Sequence, residues 1–218
     1  MKIGLMETGR GTPELQARHG RFTDWFRKLL SAVDDDLRFA DYAVVEGHMP
    51  GETDECDAYL VTGSPHSVYD DLPWRQPLQA FLRSAAAEGR RMIGICFGHQ
   101  LLADAFGGTV RRAPQGWGVG LHRYDVHLPM PWMADAVDSF DSLVSHQDQV
   151  VSPPPGARVI AGSDFCPNGV LQIADNVLTF QNHPEMPFEC SADLMELRRD
   201  IIAPDVLEAG RASLSRPA

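Results

Sequence analysis

Through its first half the chain alternates short apolar, β-branched runs with longer amphipathic stretches, and few folds accept that alternation. Residues 1–6 read as a strand. Residues 13–30 carry Leu15, Phe22, Trp25, Phe26, Leu29 and Leu30 near helical spacing, ahead of the acidic turn Asp34-Asp35-Asp36. Residues 39–45 are strand-like, residues 47–51 punctuate the chain, and residues 58–62 form another apolar run. Residues 77–88 suit a helix stopped by Gly89, residues 91–95 return as a buried strand, and residues 97–106 are helical up to Gly107-Gly108. Elements in that order build βαβ units, whose parallel sheet is covered by helices on both faces. The second half differs. Residues 121–128 alternate apolar and polar side chains, residues 129–132 gather turn formers, and short strands surround Asn168-Gly169 and Asp175-Asn176. The expectation is an α/β architecture: a doubly wound, mostly parallel sheet carrying a small antiparallel extension. Residues 186–201 read as a last helix, which puts the ordered core at about 1–203 and a frayed tail at 204–218. No repeat or linker divides residues 1–218, so a single domain is expected.

Composition removes whole classes of function. The 19 Lys and Arg against 30 Asp and Glu give −11 with histidine neutral. So acidic a surface repels phosphate backbones, and nucleic acid is not an expected partner. No apolar run approaches the roughly 20 residues of a membrane span. The opening apolar run gives way at once to Glu7-Thr8-Gly9-Arg10, too soon for a signal peptide. No membrane association and a cytoplasmic location are expected. Cys56, Cys96, Cys166 and Cys190 make no CxxC pair, and His122, His127 and His146 have no carboxylate or cysteine at ligand spacing. Neither a metal nor a cofactor is expected.

One cysteine has a special context. Cys96 stands where the strand over 91–95 runs into the helix over 97–106, with Gly94 and Gly98 two residues to either side. This G-x-nucleophile-x-G pattern describes a sharp strand-to-helix turn that leaves its central side chain exposed to a substrate. Free amides at the helix N-terminus favour a thiolate there and can also hold a developing oxyanion, with the Phe97 N–H as first donor. A thiol nucleophile needs a base, and the base needs an orienting group. His183 follows an apolar strand candidate in Gln181-Asn182-His183-Pro184-Glu185. An extended segment held by Pro184 puts Glu185 on the same face as His183, which makes Cys96, His183 and Glu185 a candidate triad. His99 is a competing base, but it lies within the helix that starts after Cys96 and suits local hydrogen bonding.

With Gly94-Ile95-Cys96-Phe97-Gly98-His99-Gln100 and His183-Pro184-Glu185 in view, the chain resembles the class I, triad-type glutamine amidotransferases. Leu60-Val61-Thr62-Gly63-Ser64-Pro65-His66-Ser67-Val68-Tyr69-Asp70 is similar to that family's oxyanion loop, and Ser145-His146-Gln147-Asp148-Gln149-Val150 to its glutamine-binding segment. Glu7-Thr8-Gly9 and Gly116-Trp117-Gly118-Val119-Gly120 resemble the stand-alone, GMP-synthase-like subgroup. The resemblance implies a flavodoxin-like sheet and an oxyanion hole made by the backbone amides of Ser64 and Phe97. It also implies substrate contacts from Gly63, Gln100, Ser145, His146, Gln147 and Asp148. The implied chemistry is hydrolysis of the γ-amide of glutamine, or of a glutamine-like substrate, through a cysteine γ-glutamyl thioester. Two departures matter: the loop reads Gly63-Ser64-Pro65 where the family often has Gly-Gly-Pro, and no phosphate-cradling synthetase loop is present. The released amine is then either ammonia for a separate synthetase subunit or the leaving group of a partner-independent γ-glutamyl peptide or amide hydrolase. A non-catalytic binding or regulatory protein on the same fold is a third reading, which the complete triad opposes.

Overall fold

The computed structural model describes residues 1–133 and 137–215; Arg216, Pro217 and Ala218, at the end of the expected tail, lie outside the described residues. In chain order the first elements are β1 (Lys2–Met6), α1 (Pro13–His19), α2 (Phe22–Ser31), β2 (Arg38–Tyr42), β3 (Ala58–Val61), α3 (Arg75–Ala87), β4 (Arg91–Ile95) and α4 (Phe97–Ala105). There follow β5 (Thr109–Arg112), β6 (Gly118–Val126), β7 (Ser139–His146), β8 (Asp148–Ser152), β9 (Arg158–Gly162), β10 (Val170–Ala174), β11 (Val177–Phe180), α5 (Phe188–Leu197) and α6 (Pro204–Ser213). Among the described residues no helix is long and apolar enough to cross a membrane.

A nine-stranded sheet runs in the order β2-β1-β3-β4-β11-β10-β9-β6-β7. Its first five strands are parallel, and from β11 onward each neighbour is antiparallel. The parallel half is doubly wound because its strands are apolar on both faces. In β3, Tyr59 and Val61 pack toward Leu78 and Leu82 of α3 and Phe97 and Leu101 of α4. Ala58 and Leu60, one residue out of phase, pack with Phe26 and Leu30 of α2 on the opposite face. The chain leaves β1 for one side of the sheet and β3 for the other, and at such a switch point the carboxyl ends of the strands open a crevice. The segments after β1, β3, β4 and β11 all emerge there.

Three expectations are corrected. The helix expected over 13–30 is broken at Gly20 (φ 80°), which closes α1. A left-handed residue cannot continue a helix, and the Trp25 indole N–H then donates to the His19 carbonyl at 2.5 Å, fixing α2 at a new angle. The antiparallel extension is only partly on the main sheet, since β5 and β8 pair separately. The segment expected as a frayed tail holds α6, which starts at Pro204 and buries Leu207, Gly210 and Ser213. The Leu121 N–H donates to Ser213 Oγ at 2.8 Å, tying α6 to β6.

Candidate active site

Cys96 sits between β4 and α4 with φ 51° and ψ −101°, and among the described non-glycine residues it alone has positive φ. Such a backbone costs about 1–3 kcal/mol and persists only where its surroundings fix it. Those surroundings are visible. The Cys96 N–H donates to the Phe180 carbonyl at 2.8 Å, which locks the turn onto the end of β11. A β-carbon on Gly94 would lie 2.6 Å from the Gly98 carbonyl oxygen, across the turn. One on Gly98 would lie 2.3 Å from the carbonyl oxygen of Val61 in β3, so the second glycine lets α4 approach the neighbouring strand. Phe97 is the first residue of α4, and its N–H has no hydrogen-bond acceptor among the described residues.

His183 enters from β11. Its N–H donates to the Leu143 carbonyl of β7 at 2.8 Å, in an isolated antiparallel bridge. The imidazole Nδ1 lies 2.7 Å from Glu185 Oε1, with both side chains buried. The chain turns at Pro184-Glu185, so a turn and not a continued extended segment brings the carboxylate back to the ring. With Nδ1 bound to Glu185, the opposite edge of the ring is left for the thiol. A β-carbon on Gly63 would lie 3.1 Å from His183 Cε1 and 3.8 Å from Cys96 Cβ, so the three residues converge. Burial by itself would lower the His183 pKa. The Glu185 charge and then Cys96 more than reverse this and hold it up at about 10.

Ser64 closes the third side. Its Oγ donates to the Thr8 carbonyl at 2.8 Å and accepts from the His66 N–H at 3.2 Å, while its own N–H has no acceptor among the described residues. The serine that replaces a glycine thus has its side chain pinned to the segment after β1. Gly9 must be glycine-small for this, because a β-carbon there would lie 2.5 Å from Pro65 Cδ.

Of the expected substrate contacts, Gly63 lines a larger pocket that Cys96 also borders. Ser145, His146, Gln147, Asp148 and Gln100 all line a polar pocket of about 60 Å³ beside Cys96. Asp148 has its carboxylate held by Ser67 Oγ at 2.5 Å and Tyr69 Oη at 2.7 Å. Gln100, in contrast, commits its amide nitrogen to the Asp148 carbonyl at 2.8 Å and Gln181 Oε1 at 3.0 Å, which braces α4 against the pocket floor. The Gln147 side-chain oxygen accepts from the Arg112 guanidinium. His146 is buried, and burial lowers its pKa to about 3, so it stays neutral. His99 is likewise lowered to about 3 by burial and bonds Thr179 Oγ1 at 2.8 Å, away from the thiol.

Arg198, just past α5, is a site residue that motif reading misses. It lines the polar pocket and a second, larger pocket on the other side of Cys96. Its guanidinium donates to Ser145 Oγ at 2.6 Å and lies 5.0 Å from the centre of the Trp117 ring. No carboxylate comes within ion-pair distance of it among the described residues, and desolvation lowers its pKa. A lone arginine in a polar helix end carries no sequence signal; only the approach of α5 to β6 and β7 makes it part of the site.

Known proteins share this arrangement of chain. Residues 35–191 match the family model described as glutamine amidotransferase class-I. Gamma-glutamyl peptidase 2 of Arabidopsis thaliana is 28% identical over 216 residues, covering 95% of this chain and 87% of its own. A glutamine-hydrolysing GMP synthase subunit of Saccharolobus solfataricus is 29% identical over 151 residues, 67% of this chain and 77% of its own. The crystal structure of a glutamine amidotransferase from Methylobacillus flagellatus superposes with a TM-score of 0.70 at 28% identity, covering 92% of this chain and 74% of that one. The chain belongs to the class-I glutamine amidotransferase family.

Proposed function

We propose that this protein hydrolyses the γ-amide of glutamine or of a γ-glutamyl amide through a thioester on Cys96. The observation that carries the reading is the convergence of Cys96, at its strained positive φ, with a His183 that Glu185 keeps protonated. The thiolate attacks the γ-carbonyl carbon, and the electron pair moved onto oxygen meets the amides of Ser64 and Phe97, each worth on the order of a hundredfold in rate. Collapse of the tetrahedral adduct breaks the C–N bond as His183 gives its proton to the departing amine. Water, deprotonated by His183, then cleaves the C–S bond and releases glutamate and the thiol. Glu185 holds the ring and balances its charge without taking the proton.

The polar pocket suits an amino-acid head: Asp148 offers a negative charge for the α-amino group and Arg198, with no carboxylate at ion-pair distance among the described residues, a positive charge for the α-carboxylate. The names of the relatives, a γ-glutamyl peptidase and a glutamine-hydrolysing synthase subunit, support a γ-glutamyl substrate in both its forms. Delivery of ammonia to a separate synthetase, or hydrolysis with no partner, are the two outcomes of this one site. The peptidase's cover of nearly the whole chain favours the second.

The test is glutamate release from glutamine and from γ-glutamyl amides by the purified protein, with mass spectrometry of the acyl-enzyme. Cys96→Ala should keep its circular dichroism spectrum, lose the acyl adduct and fall by roughly a thousandfold or more in turnover. Near-normal turnover in that variant would remove Cys96 as nucleophile.

A further inference from the structure

Cys96 stands at the junction of two pockets of opposite character. One is the polar pocket of about 60 Å³ that receives Ser67, Gln100, His146 and Asp148. The other, of about 290 Å³, is walled by Leu15, Phe22, Pro65, Met186, Leu194 and Leu197. His183 lines the larger pocket and not the smaller one, whereas Phe97, an amide donor to the oxyanion, lines the smaller and not the larger. A general acid must stand on the side of the scissile bond from which the amine departs. The larger pocket is therefore the leaving-group side. The α-ammonium of the amino-acid head is not exchanged into it either, since burying an ammonium against leucine and phenylalanine, beside Arg10 and Arg198, is unfavourable.

Resting on the γ-glutamyl reading above, we propose that the physiological leaving group is an apolar amine, branched alkyl or arylalkyl, and not ammonia or a cationic polyamine. Ammonia is about the size of one water, and the pocket has room for roughly ten at about 30 Å³ each. Among the described residues no acidic side chain lines it, and its charged members are Arg10 and Arg198, both cationic; an amine with a second positive charge finds no counter-charge in the lining and is repelled by Arg198. Arg10 is itself held by Glu7 and Glu46 and is turned to the rim. An apolar substituent, by contrast, replaces water on Leu15, Phe22 and Leu194 and is anchored in the transition state as the C–N bond lengthens. A still larger apolar cleft of about 620 Å³ also has His183 in its lining, but Cys96 is not among its described lining residues, so it does not receive a group leaving the scissile carbon.

The experiment compares kcat/KM for L-glutamine with the γ-glutamyl derivatives of methylamine, isobutylamine, benzylamine and putrescine, scoring glutamate and amine separately. Since a single methylene in a hydrophobic pocket is worth about tenfold or more, the isobutyl and benzyl amides should exceed glutamine by at least about tenfold. The putrescine amide should fall at or below glutamine. Leu197→Asp, an exposed position on the pocket wall, should lower the benzyl amide and raise the putrescine amide. Equal rates across the series, or glutamine or the putrescine amide as best substrate, would overturn the leaving-group assignment while an acyl-enzyme still forms. If no member of the series is hydrolysed and none acylates Cys96, the γ-glutamyl reading itself fails and takes this proposal with it.

Discussion

A histidine buried beside a thiol would ordinarily give up its proton, and His183 keeps it because Glu185 is buried with it at 2.7 Å. That ties the protonation state of the imidazole first to one carboxylate, and the pH dependence follows. Desolvation lowers the His183 pKa; the Glu185 charge, followed by Cys96, raises it to about 10. Activity that depends on imidazolium is present below that value and lost as pH rises through it. Glu185→Gln retains an oxygen that can accept from Nδ1 but removes the charge that is the largest single raising influence. The alkaline limb of kcat/KM should therefore move to lower pH, with turnover at neutral pH reduced by roughly a hundredfold or more. An alkaline limb that stays put in that variant would show that Glu185 orients the ring without setting its charge. The remaining cysteines offer a contrast at the same scale. Burial pushes the Cys166 and Cys190 thiols up to about 12.

At the scale of elements, the turn between β4 and α4 depends on two glycines for different reasons: one clears the opposite arm of the turn and the other clears β3. Gly98→Ala forces a methyl against the Val61 carbonyl at 2.3 Å, where neither backbone can yield cheaply. It should cost about 1–3 kcal/mol and displace the Phe97 amide, so that denaturant stability and turnover fall together. Gly51→Ala, whose β-carbon meets only the end of the flexible Glu55 side chain, should stay within about 0.5 kcal/mol. A Gly98→Ala protein with unchanged stability would mean that α4 is not held by this contact. The same turn shows what a sequence makes legible. Glycine at plus and minus two, a buried strand before and a helix after are local signals, and β4 spans the expected residues 91–95. The pairing of Asp148 with Ser67 and Tyr69, and of Arg198 with Trp117 and Ser145, joins residues from distant parts of the chain and leaves no periodic trace. Gln100 lines the polar pocket, and its amide nitrogen is taken by Asp148 and Gln181, an internal brace that only the folded sheet reveals.

For the molecule as a whole, the parallel half has helices on both faces by its own βαβ logic, but the antiparallel half needs a cover that arrives last in the chain. That cover is α6. The polar, proline-flanked composition of residues 204–218 hides it, because its apolar positions are few and its partners lie far back in β6. Leu207 packs in a cluster with Val119, Met195 and Ile202, against which Trp117 also rests. Gly120, at φ 82°, lets the helix close in: a β-carbon there would lie 2.5 Å from the Gly210 carbonyl oxygen. Since Trp117 is also the ring beneath Arg198, the C-terminal helix supports the substrate's proposed carboxylate anchor without touching it. Leu207→Ala should cost about 2–3 kcal/mol, a fall in Tm of roughly 4–12 °C for a chain of this size. Deletion of residues 204–218 should lower Tm further and raise KM for γ-glutamyl substrates more than it lowers kcat, because the thiol, His183 and both proposed oxyanion amides are held by other elements. The measurement is a pair of melting curves with steady-state kinetics on the same preparations. An unaltered Tm after the deletion would show that α6 merely lies on β6, and a loss confined to kcat would show that its influence reaches the triad by a route other than Trp117 and Arg198.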